Sequence, residues 1–393
     1  MNTRGTVGLW FLAVAALAAG CCARGPEGGA AAAEDPLAAG WRFACAITND
    51  AKDRAACQEA VAMAYVARGD CDRSLELSER IGDWRRGVVL AEIAAKLAEG
   101  GRTNEALERA AQAEAIGRGI QDWQKDLILV RVAKTKALLG KEAEVGRWRA
   151  FYRTNQDYRG EIAAYHALTL ARDGQITNAL AALDSLADST HLDVSSWRAY
   201  GHLLLARDGH LNGEQTSHAF AQAWIASDKV PGAKRWDVKM DLAQTATACG
   251  ETALARAWLN EVSSNLVPVA AAAGHLTAPA LGRLAIRWGE LKDAERVAAC
   301  AQAAEPLIRQ QQNIEQPGLV VLLGEAWARQ GDTPRALAYY EHAMDLAGQL
   351  PNRRRRAISC VEICLSLERA GLRRPQAGKG LSRLLAGFGA THG

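Results

Sequence analysis

The chain has 393 residues, of which 49% are hydrophobic and 23% are charged, so it can bury the cores of two or three compact domains or of one elongated repeat array. Its formal net charge at pH 7 is only +3, and a balance this close to neutral gives no indication of a nucleic-acid partner. Abundant alanine beside only 10 prolines favours helix, because alanine loses no side-chain entropy there.

The first twenty residues have the composition of an export signal. Arg4 supplies a positive start, residues 5–20 carry no charge, and small residues follow. Sixteen uncharged residues are slightly short for a hydrocarbon core of about 30 Å. We therefore predict a signal peptide at residues 1–20 and a flexible tether, rich in glycine and alanine, at residues 21–36.

The segment "LAAGC" at residues 17–21 resembles the bacterial lipoprotein signal. That resemblance implies lipid attachment at Cys21, which would become the new N-terminus. The match departs from the commonest pattern, because Ala18 stands where leucine is usual. An ordinary cleaved signal and a retained membrane anchor are the alternatives.

Seven cysteines follow the first pair. Cys45 and Cys57 flank the predicted turn "TNDAK", where they would either form a disulfide or lie buried as small apolar residues. Cys360 and Cys364 share one face of a predicted helix, so we expect them in the core. No cysteine or histidine set has zinc-site spacing, and we predict no metal site and no cofactor.

Two segments, residues 81–101 and 120–140, align without a gap. Each opens with Asp-Trp, continues with apolar residues at helical spacing and ends on glycine. The aspartates, Asp83 and Asp122, are expected to accept backbone N–H groups at a helix start. Gly101 and Gly140 are expected to take the left-handed conformation after the helix.

The same unit of two helices joined at a glycine recurs along the chain. Its predicted turn residues lie 32 to 42 positions apart and are Gly69, Gly101, Gly140, Gly174, Gly209, Gly250, Gly289, Gly331 and Gly371. This spacing is typical of a helical-hairpin solenoid. We predict an all-α fold, with an α-solenoid of about nine stacked hairpins at residues 37–386 and a disordered tail at 387–393.

Residues 320–347 resemble a tetratricopeptide repeat. The positions that carry the resemblance are Leu323, Gly324, Trp327, Gly331, Ala336, Tyr340 and Ala343. The likeness extends loosely over most of residues 37–385, but residues 140–270 lack the signature. It implies a right-handed superhelix whose first helices line a concave groove. Trp84, Trp123, Trp236 and Trp327 are expected to pack mainly between repeats.

Arginine stands two residues before four of the predicted turn glycines: Arg172, Arg207, Arg287 and Arg329. The resemblance places this arginine ladder at one rim of the groove, where it could hold the carboxylates of an acidic peptide. The alternative is that each arginine interacts with the negative end of its own helix. The same register places further residues in the groove, among them Glu99, Lys134, Ser196, Gln244, Arg283 and Glu325.

The sequence contains no P-loop, no GxSxG, no HExxH and no dinucleotide fingerprint. The spacing of His202, His210 and His218 does not suit a metal site on one helix, so surface or capping roles are expected. The basic run at 353–356 indicates either a solvated face or contact with an acidic partner or anionic headgroups.

These observations predict a non-catalytic, lipid-anchored scaffold of the cell envelope that binds a protein or peptide in its groove. Its membrane contact would be the N-terminal lipid, and a secreted or periplasmic soluble form is the alternative location. One alternative function is a small-molecule or glycan receptor, or an enzyme, that uses the concavity. Another is a membrane-anchored subunit of an envelope complex.

Overall fold

The computed structural model describes residues 35–273 and 277–372, together with positions 380, 381, 383, 384 and 386. Over these residues the secondary structure is helical, without strands. Among the helices of this part, none combines the length and the apolar character that a membrane span requires. The predicted signal peptide, Cys21, most of the tether and the tail lie outside the described residues.

Helices alternate between an inner and an outer set. Each inner helix packs against the next inner helix, and each except the last described one packs against the outer helix that follows it. In the described ranges the inner set is α2 (Ala51–Arg68), α4 (Arg85–Glu99), α6 (Gln124–Leu138), α8 (Gln156–Arg172), α10 (Leu192–Asp208), α12 (Lys234–Ala248), α14 (Ala278–Glu290), α16 (Gln316–Gln330) and α18 (Arg353–Arg369). The outer set is α3 (Cys71–Ser78), α5 (Thr103–Arg118), α7 (Glu142–Phe151), α9 (Ile176–Asp184), α11 (Gly213–Asp228), α13 (Thr252–Ala273), α15 (Ala294–Arg309) and α17 (Thr333–Gln349). The prediction of an all-α solenoid of hairpins is confirmed.

Eight of the nine predicted turn glycines have positive φ, which confirms them as helix ends. Gly289 is the exception, since it lies inside α14 and the left-handed residue is Lys292, with φ 59°. A Cβ built at Gly289 would stand 2.4 Å from the Ala326 carbonyl oxygen. This glycine therefore permits close contact between α14 and α16 rather than a turn.

Small residues bring the helices of one hairpin together where the repeat pattern requires them. A Cβ at Gly324 of α16 would lie 3.1 Å from the Tyr340 ring of α17. Tyr340 is fully buried, and Trp327 is 4% exposed. These contacts join the two helices of one hairpin, α16 and α17.

The Asp-Trp pairs begin helices as predicted. Asp83 accepts a hydrogen bond from the Arg85 backbone N–H at 2.9 Å, and Asp122 accepts one from the Trp123 N–H at 2.8 Å. Trp84 and Trp123 meet edge to face with ring centroids 5.6 Å apart. They join neighbouring repeats, although Trp123 is also 54% exposed.

The two ends of the array meet. The first helix, α1 (Pro36–Cys45), packs against both α18 and α2, and α18 also contacts α2. A Cβ at Gly40 would lie 3.2 Å from Cβ of Cys364. Because each inner helix also contacts the next one, the inner helices form a closed ring.

Charged side chains also join the two ends of the array, at the contact of α1, α2 and α18 that we call the seam. Arg68 of α2 pairs with Asp35 at 2.7 Å and with Glu368 of α18 at 2.6 Å. Arg354, within the basic run, pairs with Asp50 and with Asp53 at the start of α2. One acidic partner of the basic run is therefore the chain's own first hairpin.

Candidate functional site

The candidate site is the inner wall, which we define as the polar side chains of the inner helices that bond from one inner helix to the next. Such bonds join α2 to α4, α4 to α6, α8 to α10, α10 to α12, α12 to α14, α16 to α18 and α18 to α2. All the inner helices run in the same direction because an outer helix separates each consecutive pair. The wall therefore has one rim of helix N-termini and one rim of C-termini.

Glu92 of α4 is the centre of one group on the wall. Its carboxylate lies 2.7 Å from Lys134 Nζ and 3.3 Å from Arg131 Nε, both on α6. Burial alone would raise the pKa of Glu92, but these two cations outweigh it and hold the pKa below its usual range. Lys134, a predicted groove residue, is thus bound within the wall.

A second group surrounds Asp241 of α12. The Tyr200 hydroxyl of α10 donates to Asp241 at 2.9 Å, and Arg287 of α14 lies 3.4 Å from it. Burial raises the pKa of Asp241 although Arg287 opposes that shift. Gln244 donates to Glu290 at 3.2 Å, so this group links three consecutive inner helices.

A third group centres on Glu325 of α16, whose side chain is only 4% exposed. Arg369 of α18 donates to both carboxylate oxygens at 3.2 and 3.0 Å. The Ser366 hydroxyl donates to the same carboxylate at 3.0 Å. These bonds satisfy the buried charge, and Glu325 stabilises contact between neighbouring helices.

The four arginines of the predicted ladder divide into two kinds. Arg172 pairs with Asp208 at 2.6 Å, and Arg287 pairs with Glu290 at 3.1 Å. Arg207 and Arg329 form no ion pair with any carboxylate in the described part of the chain. The charge of the ladder is therefore partly neutralised. Because the left-handed residue is Lys292 and not Gly289, Arg287 also does not stand two residues before a turn as predicted.

The remaining predicted groove residues are also engaged. Arg283 pairs with Asp237 at 2.6 Å, and Glu99 pairs with Lys96 at 3.1 Å. Ser196 is buried, and its hydroxyl donates to the Leu192 carbonyl of its own helix at 2.8 Å. Ser196 therefore does not offer a free hydroxyl to a ligand.

Basic residues mark the C-terminal rim of the ring. In the described chain, every inner helix except α12 has a basic residue in its last turn. Only three of the outer helices do, namely α5, α7 and α15. A helix dipole alone acts equally on both sets, so the bias indicates a further role for cations at this rim.

The three spaced histidines do not come together as a site. His202 is 1% exposed, and neither of its ring nitrogens has a hydrogen-bond partner within the described residues. His210 is half exposed, and its Nδ1 lies 2.6 Å from Asp208. The surface role expected for these histidines is wrong for His202, which lies in the core.

A carboxylate–histidine group that the sequence analysis missed lies at the other rim. Ligand atoms of Asp157, His191 and Asp193 are all within 4.8 Å of one another. The Asp157 side chain is 70% exposed, and His191 is 39% exposed. Exposed acidic groups commonly cluster without a metal, and no contact here indicates one.

The cysteines of the described chain are free thiols. Cys360 and Cys364 are fully buried, which confirms their place in the core. Cys57 is buried, and burial raises the pKa of its thiol to about 12. Cys45 is partly buried and accepts a long contact, 3.7 Å, from the Gln58 amide.

No protein-family model matches the chain, and no curated protein matches it either.

Proposed function

We propose that the protein is a non-catalytic scaffold that holds a protein or peptide segment against the inner wall of its helical ring. The observation that carries this proposal is the closed array, in which polar side chains bond across seven of the nine contacts between neighbouring inner helices of the described chain. A preorganised wall can bind through many modest contacts without ordering its own backbone.

The charge pattern of the wall favours a segment of mixed polarity over a strongly acidic one. Most of the predicted groove arginines already pair with carboxylates, as Arg172 does with Asp208 and Arg283 with Asp237. Arg207 and Arg329 are the rim cations that an acidic side chain of the partner would meet first. The wall carboxylates Glu92 and Glu325 accept bonds from cations, which suits a structural role rather than acid–base chemistry.

We also propose the two finer assignments that the sequence favours. The contact of Gly324 with Tyr340 supports a tetratricopeptide-like packing for at least one repeat. Lipid attachment at Cys21 would place the ring at a membrane surface of the cell envelope. Mass spectrometry of the mature N-terminus tests that assignment, since a diacylglyceryl group on Cys21 is expected and an intact Met1 would contradict it.

Site-specific photo-crosslinking in cells tests the binding proposal. Glu362 of α18 is exposed and adjoins Gly318 of the neighbouring inner helix. A photo-reactive amino acid at Glu362 or at Gln244 is expected to capture the same partner. The matched control is Glu341, which is exposed on the outer helix α17.

The comparison of these positions decides the outcome. Capture of one protein from both inner positions and not from Glu341 would support binding at the inner wall. Equal capture at Glu341, or capture of different proteins at the two inner positions, would contradict it.

A further inference from the structure

A cleft lies away from the inner wall, between the outer helices α7 and α9 and above the inner helix α8. Its volume is about 410 Å³. A second cavity of about 340 Å³ adjoins it and shares Arg149 and His166 with it. Ala163 and Leu186 supply an apolar part of the lining.

Three arginines line the cleft without the carboxylate partners that most inner-wall arginines have. Arg149 and Arg153 are exposed and form no ion pair within the described residues. Arg159 makes one long bond, from its guanidinium to the Ser185 carbonyl oxygen at 3.5 Å. Three like charges held together without acidic partners repel one another, and an anion between them would relieve that repulsion.

His166 adds a buried polar group to the same lining. Its side chain is only 9% exposed, and its Nδ1 has no hydrogen-bond partner within the described residues. Its Nε2 lies 3.7 Å from the Glu142 carboxylate. Burial and the nearby Arg149 lower the pKa of His166, which favours the neutral ring, whose Nδ1 can donate or accept one bond according to the tautomer.

We propose that this cleft binds an oxyanion, a carboxylate or a phosphate, that is attached to a small apolar group. Arg149 and Arg153 donate charge-assisted hydrogen bonds to the oxyanion, and Arg159 adds positive charge at the mouth. The His166 ring meets the ligand deeper in the cleft. The apolar group lies against Ala163 and Leu186, where its contact with water is reduced.

Calorimetric titration of the purified chain tests the proposal with four probes. Phenyl phosphate and benzoate carry the oxyanion on an apolar ring, inorganic phosphate lacks the ring, and benzyl alcohol lacks the charge. Saturable binding of at least one ring-bearing anion is expected, with weaker binding of inorganic phosphate and none of benzyl alcohol. The stronger of the two ring-bearing probes identifies the oxyanion as a phosphate or a carboxylate.

Matched variants locate the binding. Arg149→Gln is expected to weaken binding by at least about tenfold, because it removes a charge-assisted bond. Arg147→Gln removes the same charge from an exposed position on the same helix and is expected to leave the affinity unchanged. Binding that is absent for both ring-bearing anions, or that falls equally in the two variants, would overturn the proposal.

Discussion

Acid should destabilise the fold through His202. Burial lowers the pKa of this histidine to about 4, and the charge of Arg198 acts in the same direction. Asp184, which opposes the shift, and His218 are the other titratable groups that influence the ring. Because the folded-state pKa lies below the unfolded value of about 6.5, His202 supports the fold fully above pH 6.5 and progressively less as the pH falls towards 4.

The size of the effect follows from proton linkage. A shift of this extent costs about 2 kcal/mol of unfolding free energy at pH 5 and about 3 kcal/mol at pH 4. The variant His202→Phe keeps a ring in the core and cannot take up a proton. It should lose correspondingly less stability than the parent chain between pH 7 and pH 4.5.

Urea unfolding followed by circular dichroism at a series of pH values measures this difference. His342→Phe is the matched control, because His342 is exposed on α17. The control should follow the parent chain at every pH. If the parent chain and His202→Phe lose the same unfolding free energy as the pH falls, the reasoning is refuted.

Two further perturbations test the packing of the ring. Arg68→Ala should destabilise the chain by about 3 kcal/mol, since it removes the Arg68 guanidinium from the buried carboxylate of Glu368. In the same urea assay, adding Glu368→Ala should recover part of the lost stability. A double variant that is no more stable than Arg68→Ala would contradict the pairing of Arg68 with Glu368 across the seam. Gly289→Ala should destabilise by about 1–3 kcal/mol because its methyl group meets the Ala326 backbone. The control is Gly146→Ala, because no atom lies within 4 Å of a Cβ built at Gly146. This variant should stabilise the chain by up to about 1 kcal/mol. Similar changes in unfolding free energy for the two glycine variants would refute the clash at Gly289.

Local signals in the sequence were sufficient for the hairpins. Gly101 and Gly140 end their helices as the repeat predicted, because a left-handed C-terminal residue is a short-range requirement. Gly289 misled the prediction since two different constraints, a turn and a close helix contact, both select glycine. Only the distance to Ala326 in the folded chain separates them.

Ring closure could not be predicted from the repeats. Each repeat specifies only how it packs on its neighbours, whereas closure depends on a small rotation summed over the whole array. The contact between Arg68 and Glu368 spans 300 positions, and no periodicity signals such a pair. The predicted arginine ladder was incomplete for the same reason. The sequence placed Arg172 near a helix end, but it could not show that Asp208, on the next inner helix, neutralises its charge.

Ring closure also changes the expected cooperativity of unfolding. An open solenoid unfolds from its ends, where each terminal repeat has one neighbour. In the ring, α1 covers the contact between the first and last inner helices. A perturbation at this seam should therefore lower the stability of both ends together.

The distance between the two ends of the array tests the central claim most directly. Lys52 on α2 and Arg355 on α18 are exposed residues near the seam, where unnatural amino acids can carry spectroscopic labels without involving the native cysteines. Pulsed electron–electron resonance should give a narrow distribution centred below about 30 Å, since neighbouring helix axes lie about 8–10 Å apart. A distribution centred beyond about 50 Å, as an open array with eight such spacings would give, would contradict the closed ring and the inner-wall function built on it.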